Sequence, residues 1–189
     1  MVGFAFIDSG ELMEQKNQTS PFLVKSIEED GVFSGYASVF DCVDFQNDQV
    51  MPGAFASSLE NWRLKNTWPK MLWQHDYNHP SGVWLDMQED DKGLLVKGRL
   101  LLEVTKGREA YALLKNGITN GLSIGFSLER ATTSGMGHQL LHKVNLHEVS
   151  LVTYAANPKA KVEWVKQQNA VIGIEQRIAL IAKKLANTL

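Results

Sequence analysis

Ser123 stands at the centre of GLSIGF, residues 121–126, in a run that alternates. Leu122, Ile124, Phe126 and Leu128 fall on one side; Ser123, Gly125, Ser127 and Glu129 fall on the other. A period of two is that of a half-buried strand. It predicts that Ser123 lies on the face away from the core, between residues too small to cover it, where a nucleophile would be open to a substrate backbone. A serine hydroxyl performs acyl transfer only with a base in hydrogen-bond reach and a third group to hold that base. The chain offers five histidines. His75 ends a strand-like run in KMLWQHD, whereas His79, His138 and His142 fall in turn-like or strand-edge settings and are expected to face solvent. His147 and Glu148 are adjacent in HEVSLV, so alternation puts one on each face. Glu148 goes with Val144, Leu146, Ser150 and Val152, and His147 with Val149 and Leu151. Both faces are apolar, and the phase does not choose between them. A polar group at a buried strand position needs a partner, and an imidazole is a natural one for Glu148.

These residues need elements to hold them. Residues 1–20 read as a flexible tail, since the polar cluster ahead of Pro21 has no periodicity. Strands are expected over Phe22 to Ile27 and over Val32 to Phe40, followed by a loop dense in Asp and Asn. Phe55, Leu59 and Trp62 recur at helical spacing behind Pro52, which predicts a helix from about Pro52 to Arg63. A third strand is expected over Lys70 to His75, then a loop over Asp76 to Gly82. A fourth strand would alternate through Val83, Leu85 and Met87, and a fifth would carry Leu94, Val96, Gly98, Leu100 and Leu102 on one face. Thr105 suits the N-cap of a helix over 106–116, with Gly117 as its stop. The strand of Ser123 is the sixth, and the seventh runs over roughly Gln139 to Thr153, closed by Asn157-Pro158. Ile174, Ile178, Ile181 and Leu185 mark an amphipathic C-terminal helix over 166–189. About seven strands and three helices predict an α+β, mainly β chain: a mixed barrel with a few surrounding helices.

Composition removes several classes of function. Hydrophobic residues make up 44% and charged residues 21%, as in ordinary globular domains. The net charge is −2 and the 19 basic residues are scattered, so nucleic-acid binding has no electrostatic support. A single cysteine, Cys42, forms no intramolecular disulfide and is expected to be a small buried hydrophobe. The N-terminal residues carry acids early and no long apolar core, so no signal peptide is expected. No apolar run reaches the ~18 residues of a membrane span. Asp41, Asp44 and Asp48 suggest calcium, but no glycine hinge or terminal glutamate follows at EF-hand spacing. A solvated loop whose Asp caps the next helix is the better reading. No metal and no cofactor are expected.

GYASVFDCVDFQNDQVMPGAF, the WQHD segment, GLSIGF, EVSLV and AANPKAKV, in this order and spacing, resemble the prohead maturation proteases of tailed bacteriophages, a family similar to the herpesvirus assemblins. The resemblance runs from about Phe22 to Val165 and implies a protease domain over 21–165 with an assemblin-like fold. It implies His75 as general base, Ser123 as nucleophile and Glu148 as the group that orients the imidazole. The assemblins place a second histidine third, which keeps His147 as the alternative. By the same analogy a backbone donor of the loop at Ala155 to Asn157 would form the oxyanion hole, with Ala156 and Asn157 the candidates. The implied substrates are the scaffolding segment of the major capsid protein and the enzyme itself, cut inside an immature capsid in the bacterial cytoplasm. Self-cleavage and a homodimer would follow from such partners.

Rival readings fare less well. GLSIG is formally G-x-S-x-G, but an esterase elbow needs a strand before the serine and a helix after it, and here the order is a helix exit and then a strand. A metal hydrolase built on His75, Asp76 and His79 would want a helix that Pro80 opposes. A non-catalytic capsid-assembly scaffold of the same fold is the remaining alternative, and the intact serine, histidine and glutamate count against it.

Overall fold

The computed structural model describes residues 31–163. The expected tail over 1–20, the strand over 22–27 and the helix over 166–189 lie outside the described residues. Within them the order is β1 (Val32–Val39), β2 (Asp48–Val50), α1 (Ala56–Leu64), β3 (Lys70–Trp73), β4 (Asp76–Glu89), β5 (Gly93–Leu100), α2 (Thr105–Lys115), β6 (Gly121–Thr133), β7 (Gln139–Val152) and β8 (Val162–Glu163). The strands form one eight-stranded sheet in the order β2-β7-β3-β4-β5-β1-β8, with β6 on the other edge of β7. Two pairings, β2–β7 and β3–β7, are parallel; the rest are antiparallel. The sheet is mixed and curls into a half-barrel. Its far ends are bridged where β8 joins β1 and Gly121 meets Lys161.

The strand β7 is the axle. Its first residues pair with β2 and its last with β3. Between these partners α1 takes the place of a strand. The N–H of Val144 donates to the carbonyl of Ala54, that of Leu146 to Ser58 Oγ, and Trp62 Nε1 to the carbonyl of Leu146. Along the other edge of β7, Leu122, Leu146, Val149 and Leu151 are fully buried. Burial of each contributes about 2 kcal/mol, and a one-residue slip would turn the whole set outward. The apolar set therefore locks the register that positions Ser123 and Glu148.

Several expectations need correction. Residues 76–82 form no loop, because β4 runs through them and pairs with β3 across a two-residue turn at Gln74-His75. In β4 Met87 is buried as expected, but a register shift at Leu85 turns Trp84 inward and leaves Val83 and Leu85 exposed, against the expected phase. The helix α1 begins at Ala56, and its entry is held by Glu89, whose Oε1 accepts the N–H groups of Gly53 and Phe55. Asp44 instead closes its own loop by accepting from the N–H groups of Gln46 and Asp48. Thr105 is helical and Val104 is the N-cap, without a side-chain bond. The stop at Gly117 is as expected. Its N–H reaches the carbonyl of Leu114 and that of Ile118 reaches Leu113, the double bond of a Schellman motif, with Gly117 at φ 70°.

Candidate active site

Register brings the polar residues together before any side chain is considered. Across β6 and β7, Ser123 faces Ser150 and Gly125 faces Glu148. On the other side of β7, Lys70 is aligned with Glu148 and Leu72 with Ser150, so β3 ends beside the same face. The turn that follows β3 delivers His75. Gln74 and His75 have φ of 55° and 60°, the double positive φ that a type I′ hairpin turn demands and that asparagine or glycine normally supplies. Residues other than glycine held there cost on the order of 1–3 kcal/mol each. The bonds that offset this cost all go to β7 and its end. Gln74 N–H donates to the carbonyl of Leu151 at 2.9 Å, its Nε2 to Thr153 Oγ1 at 2.8 Å, and His75 N–H to Ser150 Oγ at 3.2 Å.

The imidazole of His75 bridges the other two groups. Its Nε2 lies 2.9 Å from Ser123 Oγ and its Nδ1 lies 2.6 Å from Glu148 Oε1. A carboxylate only accepts, so Nδ1–H donates to Glu148 and Nε2 of the neutral ring is left to accept from the serine hydroxyl. Glu148 is 2% exposed, and its second oxygen accepts from Ser150 Oγ at 2.6 Å. The hydrogen bond to Glu148, then its charge, lift the pKa of His75 above the ordinary 6.5, against an opposing effect of burial that ranks between them. Gly125 is required here, because a Cβ at that position would strike Glu148 Oε1.

The structure thus assembles Ser123, His75 and Glu148, and it does not bring His147 to them. His147 is the extra residue of a bulge in β7, between the partners of Gly125 and Phe126, and its exposed imidazole bonds Ser127 Oγ through Nε2 at 3.0 Å. Ser123 departs from expectation in one respect. It is 7% exposed rather than open, because the first residues of β6 are covered on both faces. It is reached through a cleft that it lines with His75, Ala156 and Asn157. Asn157 spends its side chain on structure, with Nδ2 donating to the carbonyl of Val39 at 2.8 Å and its oxygen accepting from Lys159 N–H. Only main-chain N–H groups of this loop are left for an oxyanion, and those of Ala156 and Asn157 make no backbone bond among the described residues. His138 is another correction: it is buried, with Nε2 bonded to Gln49. Two contributors escaped the sequence reading of the site. Ser150 sits two residues after Glu148 on the same face, a spacing that alternation exposes once Glu148 is chosen. Gln74 carries no signal in the sequence, since its role depends on the turn.

A hydroxyl, an imidazole and a buried carboxylate bonded in series, at one end of a cleft in a curled mixed sheet, are the parts of a serine hydrolase. The G-x-S-x-G elbow of esterases is a different construction, for β6 continues as a strand to Thr133. Comparison with known proteins narrows the class: the chain belongs to the caudovirus prohead serine protease family, whose model matches residues 20–173. It is 34% identical over 148 residues to the prohead protease of Enterobacteria phage HK97, covering 77% of this chain and 63% of that protein. It is 32% identical over 116 residues to a capsid polyprotein of Pseudomonas phage PAJU2, covering 55% of this chain and 17% of that protein. The matched part therefore spans less than two thirds of either relative. In fold it resembles the capsid assembly protease of bacteriophage T4, with a TM-score of 0.54, 12% identity, and coverage of 64% of this chain and 80% of that one.

Proposed function

We propose that the protein is a serine endopeptidase of capsid maturation, acting through Ser123, His75 and Glu148. The observation that carries this reading is the unbroken series of bonds from Ser123 Oγ through both ring nitrogens of His75 to Glu148 and Ser150. Ser123 Oγ attacks the peptide carbonyl while His75 Nε2 takes its proton. The imidazolium that forms is stabilised by Glu148, and the proton passes to the leaving amine as the acyl-enzyme forms. Water then enters, gives its proton to Nε2, and releases the acyl group. Main-chain N–H groups of Ala156 and Asn157 are the donors for the tetrahedral oxyanion, each worth about 3 kcal/mol of barrier where such donors have been removed.

The substrates are the scaffolding segment of the major capsid protein and the enzyme itself, inside the immature capsid in the host cytoplasm. The capsid polyprotein among the relatives and the family's prohead name support this placing. The span of the family match supports a protease unit over about 21–165. The test is co-expression with the neighbouring capsid protein, with wild type and Ser123→Ala compared by intact mass. Removal of an N-terminal capsid segment by wild type alone is the expected result. Equal cutting by Ser123→Ala, or assembled particles left uncut by both, would overturn it in favour of a silent scaffold.

A further inference from the structure

The cleft beside Ser123 has a volume of about 260 Å³. Pockets that take a whole small molecule run to roughly 300–1,000 Å³, so this one suits a single side chain and its flanking backbone. About half of its wall is apolar, from Val50, Leu122, Ile124 and Phe126 among others, and no lysine or arginine among the described residues lines it. Two carboxylates do, Asp44 and Asp48. Asp44 commits one oxygen to its own loop, whereas the carboxylate of Asp48 accepts no hydrogen bond and meets no cation among the described residues. Burial first, and then the charge of Asp44, raise the pKa of Asp48 above 3.8. Such crowding of like charge is relieved by a cation.

A second observation points the same way. Ser38 lines the same cavity, is 1% exposed, and its hydroxyl has no partner among the described residues. Buried hydroxyls are almost always bonded, and this one belongs to a residue in the wall of the cleft. The acidic loop is also tied to the oxyanion loop, for Phe45 N–H donates to the carbonyl of Ala156 at 3.0 Å. Two carboxylates and a hydroxyl are too few for calcium, which takes about 6–8 oxygens, but they suit an ammonium or guanidinium on an apolar stem.

We propose that this cleft is a specificity subsite for a basic side chain, lysine or arginine, next to the scissile bond. Asp48 is its principal counter-charge, Asp44 the second, and Ser38 an acceptor at its wall. The assignment rests on the reading of the protein as a peptidase and names the substrate class of that same site.

The test uses the full chain as wild type, Asp48→Asn, Asp48→Lys and Ser123→Ala, each checked for folding by circular dichroism. A positional-scanning peptide library is digested and the cuts are mapped by mass spectrometry. Wild type should cut beside lysine or arginine at one fixed position. For the best lysine peptide and its norleucine counterpart, Asp48→Asn should lower kcat/KM about 30-fold more for the first, on the scale of losing one partner of a buried charge pair. Asp48→Lys should move the preference to aspartate or glutamate. Cutting without a basic preference, or an equal loss on both peptides, overturns the subsite and leaves the peptidase reading intact. Equal cutting by Ser123→Ala, or a library left uncut by wild type, overturns both.

Discussion

His75 and His79 each hold a carboxylate oxygen 2.6 Å from Nδ1, four residues apart on the same hairpin. The first partner, Glu148, has a side chain 3% exposed; the second, Asp76, has one 41% exposed. Beyond the imidazole the pairs differ again, since Nε2 of His75 bonds Ser123 Oγ and that of His79 makes no hydrogen bond among the described residues. The pKa of Asp76 is lowered first by the backbone N–H of Asn78 and only then by His79, so even its own titration is not governed by the ring. Bond length is therefore no mark of a site. Burial of the carboxylate, and a third group on the free nitrogen, separate the relay proposed at His75 from a surface ion pair.

That contrast can be broken from the large effects downward. His75→Ala should lower peptide cleavage by on the order of 10⁴-fold or more, as loss of a triad base does, and Glu148→Gln by roughly 10²- to 10³-fold, in kcat from single-turnover assays. His147→Ala serves as the control; a larger loss there than in Glu148→Gln would reverse the choice of third member. Gly125→Ala comes next. The new methyl meets Glu148 Oε1 and should push it off His75, so cleavage should fall about 100-fold, a penalty typical of small misplacement, in a chain that still melts cooperatively. Normal activity in that variant would show that Glu148 tolerates displacement and is no orienting group.

Ser150→Ala should cost about tenfold in kcat, the scale of one hydrogen bond, and should move the pH profile. His75 must be neutral to accept the proton, and its pKa lies above 6.5, so the acid limb of kcat/KM should lie above pH 6.5 in wild type. Without the Ser150 hydroxyl, the charge of Glu148 concentrates on Oε1 and the limb should rise further. The stability that the charged pair contributes runs the other way. It is complete below 6.5 and fades as pH rises through the folded pKa, so activity grows where this contribution is lost. An acid limb at or below 6.5 in wild type would contradict the geometry. Asp76→Asn and His79→Ala should change cleavage less than about twofold, within the range of exposed pairs. A tenfold loss in either would erase the distinction between the two pairs.

Much of this was legible in the chain itself. The alternation around Ser123 is a local property of strands that bury one face, and it persisted in β6 from Gly121 to Leu128. In β7 it holds from Glu148 to Val152, but a bulge at His147 puts Leu146 on the face opposite Glu148, against the expected phase. Helix stops such as Gly117 follow from local sterics alone. The inward turn of Trp84 in β4 was hidden, because a bulge at Leu85 changes which residues face inward without leaving a compositional trace. The strand running through Asp76 to Gly82 was hidden too, since Pro80 and its polar neighbours look like a loop until β3 is beside them.

What the sequence by itself determined was a set of residue types and the strand faces they share: Ser123 with Gly125, and Glu148 with Ser150. Only the tertiary structure decided that Glu148 and not His147 meets an imidazole, and that His75 and not His79 supplies it. The reason is physical. Contacts between strands depend on register and sheet order, which a core of side chains distant in sequence settles together. The strained turn at Gln74-His75 exists because Leu151, Ser150 and Thr153 hold it there.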